Sequence, residues 1–197
     1  MADADRETMD RSLERLLEGN RRCLECGPHH PRQDAGRRAE VAAGQHPFAV
    51  IVGCSDSRIP PEVVFDKGLG DLFVVRLAGN VVDDMALGSV EYAVEHLGTR
   101  LVVVLGHARC GAVTAAVNHG DAPGHVHSIV KAILPAIEKA RGMPGDLVDN
   151  AIRVNVAMVA DRIRACEPIL APMARGGEIR VVEAYYDVTT GKVDILR

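Results

Sequence analysis

The sequence predicts an α/β fold: a mostly parallel central β-sheet with an antiparallel edge strand, flanked by helices and preceded by an N-terminal helical arm. Three observations predict it. Phe48 to Gly53, Asp71 to Arg76 and Leu101 to Leu105 are short apolar runs, too continuous for half-exposed strands, and they read as strands buried on both faces. The stretches between them carry apolar residues at helical spacing. The C-terminal residues form two strand-like segments around Thr189-Thr190-Gly191, the pattern of a hairpin. At 197 residues and 47% hydrophobic content the chain suits one core and is short for two. A single domain over residues 1–197 is expected, with residues 1–46 as the arm and 47–197 as the α/β core.

In chain order, Met9, Leu13, Leu16 and Leu17 fall at i, i+4, i+7 and i+8, so Asp5 to Glu25 reads as an amphipathic helix ended by Gly27-Pro28. From there to His46 the chain is polar and basic, and only Val41 to Ala43 suggests a short helical piece. The first strand, Phe48 to Gly53, is followed by Ile59-Pro60-Pro61, where a short helix can start because proline suits a first helical turn. The second strand, Asp71 to Arg76, is broken by Ala78-Gly79-Asn80. Leu87, Val90, Val94 and Leu97 mark a helix ending at Gly98, and Leu101 to Leu105 is the third strand. A helix then begins at Cys110-Gly111-Ala112-Val113, and Gly120 to Gly124 is a turn. Val126, Val130, Ile133 and Ile137 continue a helical period that Pro135 should kink or divide. Val148, Ile152, Val156, Val159 and Ile163 define a long helix before the hairpin strands, Glu178 to Tyr186 and Lys192 to Leu196.

Two stretches at strand ends carry the chemistry. Cys54-Ser55-Asp56-Ser57-Arg58 leaves the first strand, and His107-Ala108-Arg109-Cys110 leaves the third. Ends of strands are where α/β sheets place their sites. Two cysteines and a histidine are ligand types that zinc prefers, and three rather than four leave a position open for a reacting water. Two thiolates donate more charge than imidazoles would, so a further group is needed to manage the proton. Asp56 and Arg58 share Cys54's loop, and a carboxylate paired with a guanidinium stays ionised and oriented. Released from Arg58, Asp56 could instead become the fourth ligand and close the site. Cys110, opening a helix, should have its thiol pKa lowered by the helix N-terminus.

Other features narrow the function. A net charge of -4 and 3% aromatics give no electrostatic or stacking argument for nucleic acid. No apolar run reaches membrane-spanning length, and Met1 to Asp10 lacks the order of a secretory signal, so a cytoplasmic protein is expected. Five cysteines suit thiols and metal ligation more than disulfides. Cys23-x-x-Cys26-x-x-His29-His30 has the look of a second metal site. Without a distant partner pair it reads as two incidental thiols. His46, His96, His119, His125 and His127 are the candidates for a proton shuttle, and the sequence does not choose among them.

From Leu17-Glu18-Gly19-Asn20 to the terminal hairpin, the chain closely resembles the β-class carbonic anhydrases, most specifically in Cys54-x-Asp56-x-Arg58 combined with His107-x-x-Cys110-Gly111. The resemblance implies one zinc ion held by Cys54, His107 and Cys110, an Asp56–Arg58 dyad, and reversible hydration of carbon dioxide to bicarbonate. It is similar to the plant-like branch, which implies substrate contacts from Gln45, Phe73, Tyr92 and Gly111. The pocket in that family is built across a homodimer, so Gln45, Phe73 and Tyr92 are expected to serve a neighbour's zinc, and the N-terminal helix to wrap around the partner. The bicarbonate-regulated branch has a tryptophan where this chain has Ile51, although Arg76 matches that branch's arginine. An open site at neutral pH is therefore expected. Related proteins with this fold hydrolyse carbonyl sulfide or carbon disulfide, and a non-catalytic zinc-binding or redox-sensing protein could keep it too; intact Asp56, Arg58 and Gln45 favour hydration.

Overall fold

The three apolar runs form β1 (Ala49–Gly53), β2 (Leu72–Arg76) and β3 (Leu101–His107), in a computed structural model that describes residues 2–25, 27–119 and 122–197, with side chains from residue 8 onward except at 119. With β4 (Arg180–Tyr186) and β5 (Val193–Ile195) they make one sheet in the order β2-β1-β3-β4-β5. The first four strands are parallel, and β5 runs antiparallel to β4. Every residue of β1 and β3 is buried. Their side chains alternate between two apolar layers. Ile51, Val103 and Leu105 face one, while Val50, Val52, Val102 and Val104 face the other.

Helices cover both faces: α1 (Ala2–Glu25), α2 (Ala35–Val41), α3 (Pro61–Val64), α4 (Asp84–Glu95), α5 (Gly111–His119), α6 (Val126–Ala140), α7 (Leu147–Arg164) and α8 (Leu170–Arg175). Val90 and Val94 of α4 and Val156 of α7 are fully buried in one layer, and Ile133 of α6 in the other. The approach of α7 to the sheet is close at Gly106, where a Cβ would come within 2.3 Å of Val156 Cγ2. Capping by Asp83 and Asp146, which accept from Ala86 N and Asp149 N, sets the starts of α4 and α7.

Several boundaries differ from the sequence reading. The third strand runs on to His107, because the ladder with β4 continues through the pairing of His107 with Tyr186. A helix at 35–41, with Asp34 as its N-cap, replaces the piece expected at Val41 to Ala43. Pro135 lies within α6 and does not divide it. Helix α8 carried no periodic signal. On this chain α1 packs on its own core: Met9, Leu13 and Leu16 are buried. Asn20 donates to the carbonyls of Val64 and Gly191 and accepts from Val193 N. Arg15 and Arg22 pair with Asp71 and Asp66.

The order places β1 between β2 and β3, so chain connections leave β1's two neighbours in opposite directions. A crevice at the strand ends forms at such a switch point, between β1 and β3. Cys54 and His107 stand on its two sides.

Candidate active site

Cys54 follows the last residue of β1, His107 is the last residue of β3, and Cys110 immediately precedes α5. Register pairs Gly53 with Leu105, so the two loops leave adjacent strand ends and meet. One ligand atom from each of Cys54, His107 and Cys110 lies within 4.8 Å of the others, and all three residues are buried. Ligand atoms around a tetrahedral zinc ion stand about 3.5 Å apart, so small side-chain rotations close the set on a metal.

The state of His107 is fixed by its neighbour. Nδ1 lies 2.9 Å from the Ala108 carbonyl oxygen, which can only accept, so Nδ1 carries the proton and Nε2 presents its lone pair. Nε2 is buried, has no hydrogen-bond partner, and belongs to a side chain with 0% exposure. Leaving a buried acceptor unpaired costs about 1–3 kcal/mol. An ion among two sulfurs and this nitrogen removes that cost, and the residues present fit zinc.

Cys54 and Cys110 shift each other's titration. The Cys110 hydrogen bond lowers the Cys54 thiol most, against the opposing effect of burial, and the Gly79 amide, whose N donates to Sγ at 3.2 Å, acts in the same direction. Cys110 is pushed up by the same pairing and by burial. The amides of Ala112 and Val113 do lower Cys110, as a helix start should, but its partner sulfur outweighs them.

Asp56 points its carboxylate at Arg58. Arg58 Nε and N donate to Oδ1, each at 2.9 Å, and Nη2 donates to Oδ2 at 2.7 Å. These bonds, led by the guanidinium, hold the Asp56 carboxyl well below the usual carboxylate range. Oδ2 also lies 3.9 Å from His107 Nε2, at the edge of the cluster. Arg58 Nη2 donates further to the Arg109 carbonyl at 3.1 Å, which ties the first ligand loop to the second. Arg109 supplies that carbonyl from a left-handed backbone, at φ 55.

The other expected residues lie apart from this cluster. Gln45 is exposed and precedes β1, whereas Cys54 follows it, so the two are at opposite ends of one strand. Phe73 pairs in register with Val50, near the far end of β2, and its ring sits 6.2 Å from that of Tyr92 on α4. Tyr92 is exposed. Gly111 is beside Cys110, and a Cβ on it would meet nothing within 4 Å, so space remains over that backbone. Of the second cysteine–histidine motif, Cys26 lies outside the described residues, Cys23 Sγ lies 3.5 Å from the Val63 carbonyl, and the backbone amides of His29 and His30 donate to Asp66. Among the described residues the only metal-capable group is Cys54, His107 and Cys110.

The sequence reading named Arg76 of β2 only as a match to another branch and missed its contact with the Cys54 loop. Arg76 Nε donates to the Cys54 carbonyl at 2.7 Å and Nη2 to the Asp56 carbonyl at 2.6 Å. A basic residue ending the strand next to the ligand strand was the available signal.

A family model described as carbonic anhydrase matches residues 49–193. Carbonic anhydrase 2 of Mycobacterium tuberculosis is 42% identical over 181 residues, spanning 90% of this chain and 87% of that protein. A Coccomyxa β-carbonic anhydrase solved with acetazolamide shares the fold at a TM-score of 0.74 and 29% identity, covering 80% of this chain and 75% of that one. One of two tetrameric β-carbonic anhydrases from Sordaria macrospora gives 0.73 at 26% identity, covering 81% and 85%. With the match running across the sheet and both ligand loops, this chain belongs to the β-carbonic anhydrases, enzymes that hydrate carbon dioxide reversibly to bicarbonate and a proton.

Proposed function

We propose that each chain holds one zinc ion through Cys54, His107 and Cys110, that Asp56 and Arg58 keep its fourth position free, and that a second copy completes the pocket with Gln45, Phe73 and Tyr92. The observation that carries this reading is the buried, unpartnered Nε2 of His107 beside two cysteine sulfurs. When bound, zinc supplies the positive charge that makes a water acidic enough to react near neutral pH. The chain's own residues supply orientation. Asp56 is too acidic to retain a proton at neutral pH, so its role is to accept a hydrogen bond at Oδ2 and aim the reacting water's lone pair at carbon dioxide. Arg58 occupies both carboxylate oxygens and so opposes the turn of Asp56 onto the metal. The open space over Gly111 leaves room for substrate beside Cys110.

A partner is needed because one chain separates the two halves of the pocket. β1 is five residues long, or roughly 16 Å at strand rise, and Gln45 lies beyond one end of it and Cys54 beyond the other. β2 is an edge strand, half-exposed from Phe73 to Arg76, with pairing on one side only among the described residues. Such an edge is a template for another chain. A second copy packed antiparallel across it brings the partner's Phe73 end beside this chain's Arg76 end, where the ligand loops are. The tetrameric Sordaria macrospora relative supports a homodimer or a larger homo-oligomer. No helix among the described residues is long and apolar enough to cross a membrane, which suits the cytoplasmic location we propose.

The site is open at neutral pH on this reading. Ile51 is fully buried in the core, and Arg76 is occupied by two loop carbonyls, so neither forms a bicarbonate effector pocket. Asp56 found on the metal in a crystal grown near pH 8 would overturn this point. Stopped-flow hydration with a zinc count tests the whole: one zinc per chain is expected, and Asp56→Ala should keep the zinc and fall to a small residual rate of hydration. Turnover of carbonyl sulfide and carbon disulfide by the same preparation separates the substrate choices. Carbon dioxide should be preferred.

A further inference from the structure

The loop that carries Cys54 and Asp56 has no helix or strand of its own, yet it must hold a ligand and a carboxylate in fixed relation. The end of β2 holds it. Leu77 N donates to the Gly53 carbonyl and Ser55 N to the Leu77 carbonyl, each at 3.2 Å, so the β1–β2 ladder runs on past both strands. Arg76 then spans the loop with a fork of two donors on the Cys54 and Asp56 carbonyls, at 2.7 and 2.6 Å. These are charge-assisted contacts, short for their kind. They fix the Cys54–Ser55 and Asp56–Ser57 peptide planes, which bracket Ser55 and Asp56, and so restrict the direction in which the Asp56 side chain leaves the backbone. Arg76 reaches the loop through main-chain oxygens, the carbonyls of Cys54 and Asp56. It cannot be replaced by a change in the loop's own side chains.

We propose that Arg76 is a positioning residue for Asp56, and that through it the edge strand on which a second copy docks sets the geometry of the dyad. The proposal rests on the role given to Asp56 above. Because Arg76 acts on a group used in the transition state, its loss lowers kcat and leaves KM and zinc content in place. Residues at this remove from a metal centre typically matter by about 10- to 100-fold.

The test uses the oligomeric, zinc-loaded enzyme. Arg76→Ala is expected to lower kcat about 10- to 100-fold at full zinc occupancy and unchanged KM. Arg76→Lys, which keeps the charge but lacks the planar fork, should fall between Arg76→Ala and the wild type, and it serves as the folded control. Added guanidine at millimolar concentration should restore part of the activity of Arg76→Ala. In the Asp56→Ala background, Arg76→Ala should cost nothing further, since the group it positions is gone. The proposal is overturned if the loss follows zinc content, appears in KM, or persists undiminished in the Asp56→Ala background. An Asp56→Ala variant that is itself fully active overturns the reading of Asp56 instead, so the two failures are told apart.

Discussion

His107 and Gly79 show how closely single residues bind the site to the fold. The proton on His107 Nδ1 is held by Ala108, the next residue along, so the tautomer needed for ligation is a local property of the loop. Gly79 sits at φ 70, its amide reaches Cys54 Sγ, and its carbonyl accepts from Asn155 of α7. A Cβ there would lie 2.8 Å from Ile133 Cδ1 and 3.2 Å from Ala112 Cβ. Gly79→Ala therefore combines left-handed strain with overpacking and should destabilise the fold by about 1–3 kcal/mol, read from urea unfolding. It should also weaken zinc retention against a chelator, because the amide that supports Cys54 moves. The grouping of Cys54, His107 and Cys110 and the Asp56–Arg58 pair was legible in the sequence because each residue lies within a few positions of a strand end. The Arg76 clamp was not, because its partners are backbone carbonyls and backbone leaves no mark on composition.

At the scale of elements, the apolar runs were readable for the reason that makes them strands: both faces of β1 and β3 are covered, so their sequences have no polar alternation to confuse the pattern. Short helices were harder. α2 has no buried residue, and its hold on the chain comes from the Asp34 cap and from Arg37, which donates to Leu69 O. The segment joining α1 to α2 is tied down at His29 and His30 by one carboxylate, and further on by Arg32 against Asp71 and Gln33 on the Lys67 carbonyl. Asp66 accepts from Arg22 Nε and from the amides of His29 and His30, and these bonds lower its pKa against the opposing effect of burial. A carboxyl lowered on folding contributes stability that is present above its unfolded pKa, about 3.9, and is lost as pH falls through the folded value. The amides of His29 and His30 should therefore stay protected from hydrogen exchange at pH 5 and above, and lose protection in acid before the strands do. Asp66→Ala should release the same segment at neutral pH, seen as new cleavage there by a dilute protease with the core intact.

The whole molecule is read most directly at its open edge. Val74 and Val75 of β2 are half-exposed beside Phe73, and a charge on that strand opposes edge pairing. Val74→Glu should shift sedimentation toward the monomer and lower activity with it. Specific activity should recover as protein concentration rises, since on the proposed reading dilution removes the second copy that completes the pocket. Gln45, Phe73 and Tyr92 were named from sequence, but their separation from the ligands required the topology, because spacing along a chain does not say which end of a sheet a residue reaches. The strand order has one more consequence. Cys54 and His107 are separated by roughly fifty residues and brought together only by the pairing of β1 with β3. An ion bound across that crevice acts as a removable cross-link: closing a loop of such length restricts the unfolded chain by about 4 kcal/mol on the entropy model used for disulfides. If zinc is held there as proposed, its removal should lower the stability of the fold as well as end turnover, so that an inorganic centre would also be the clasp of the sheet.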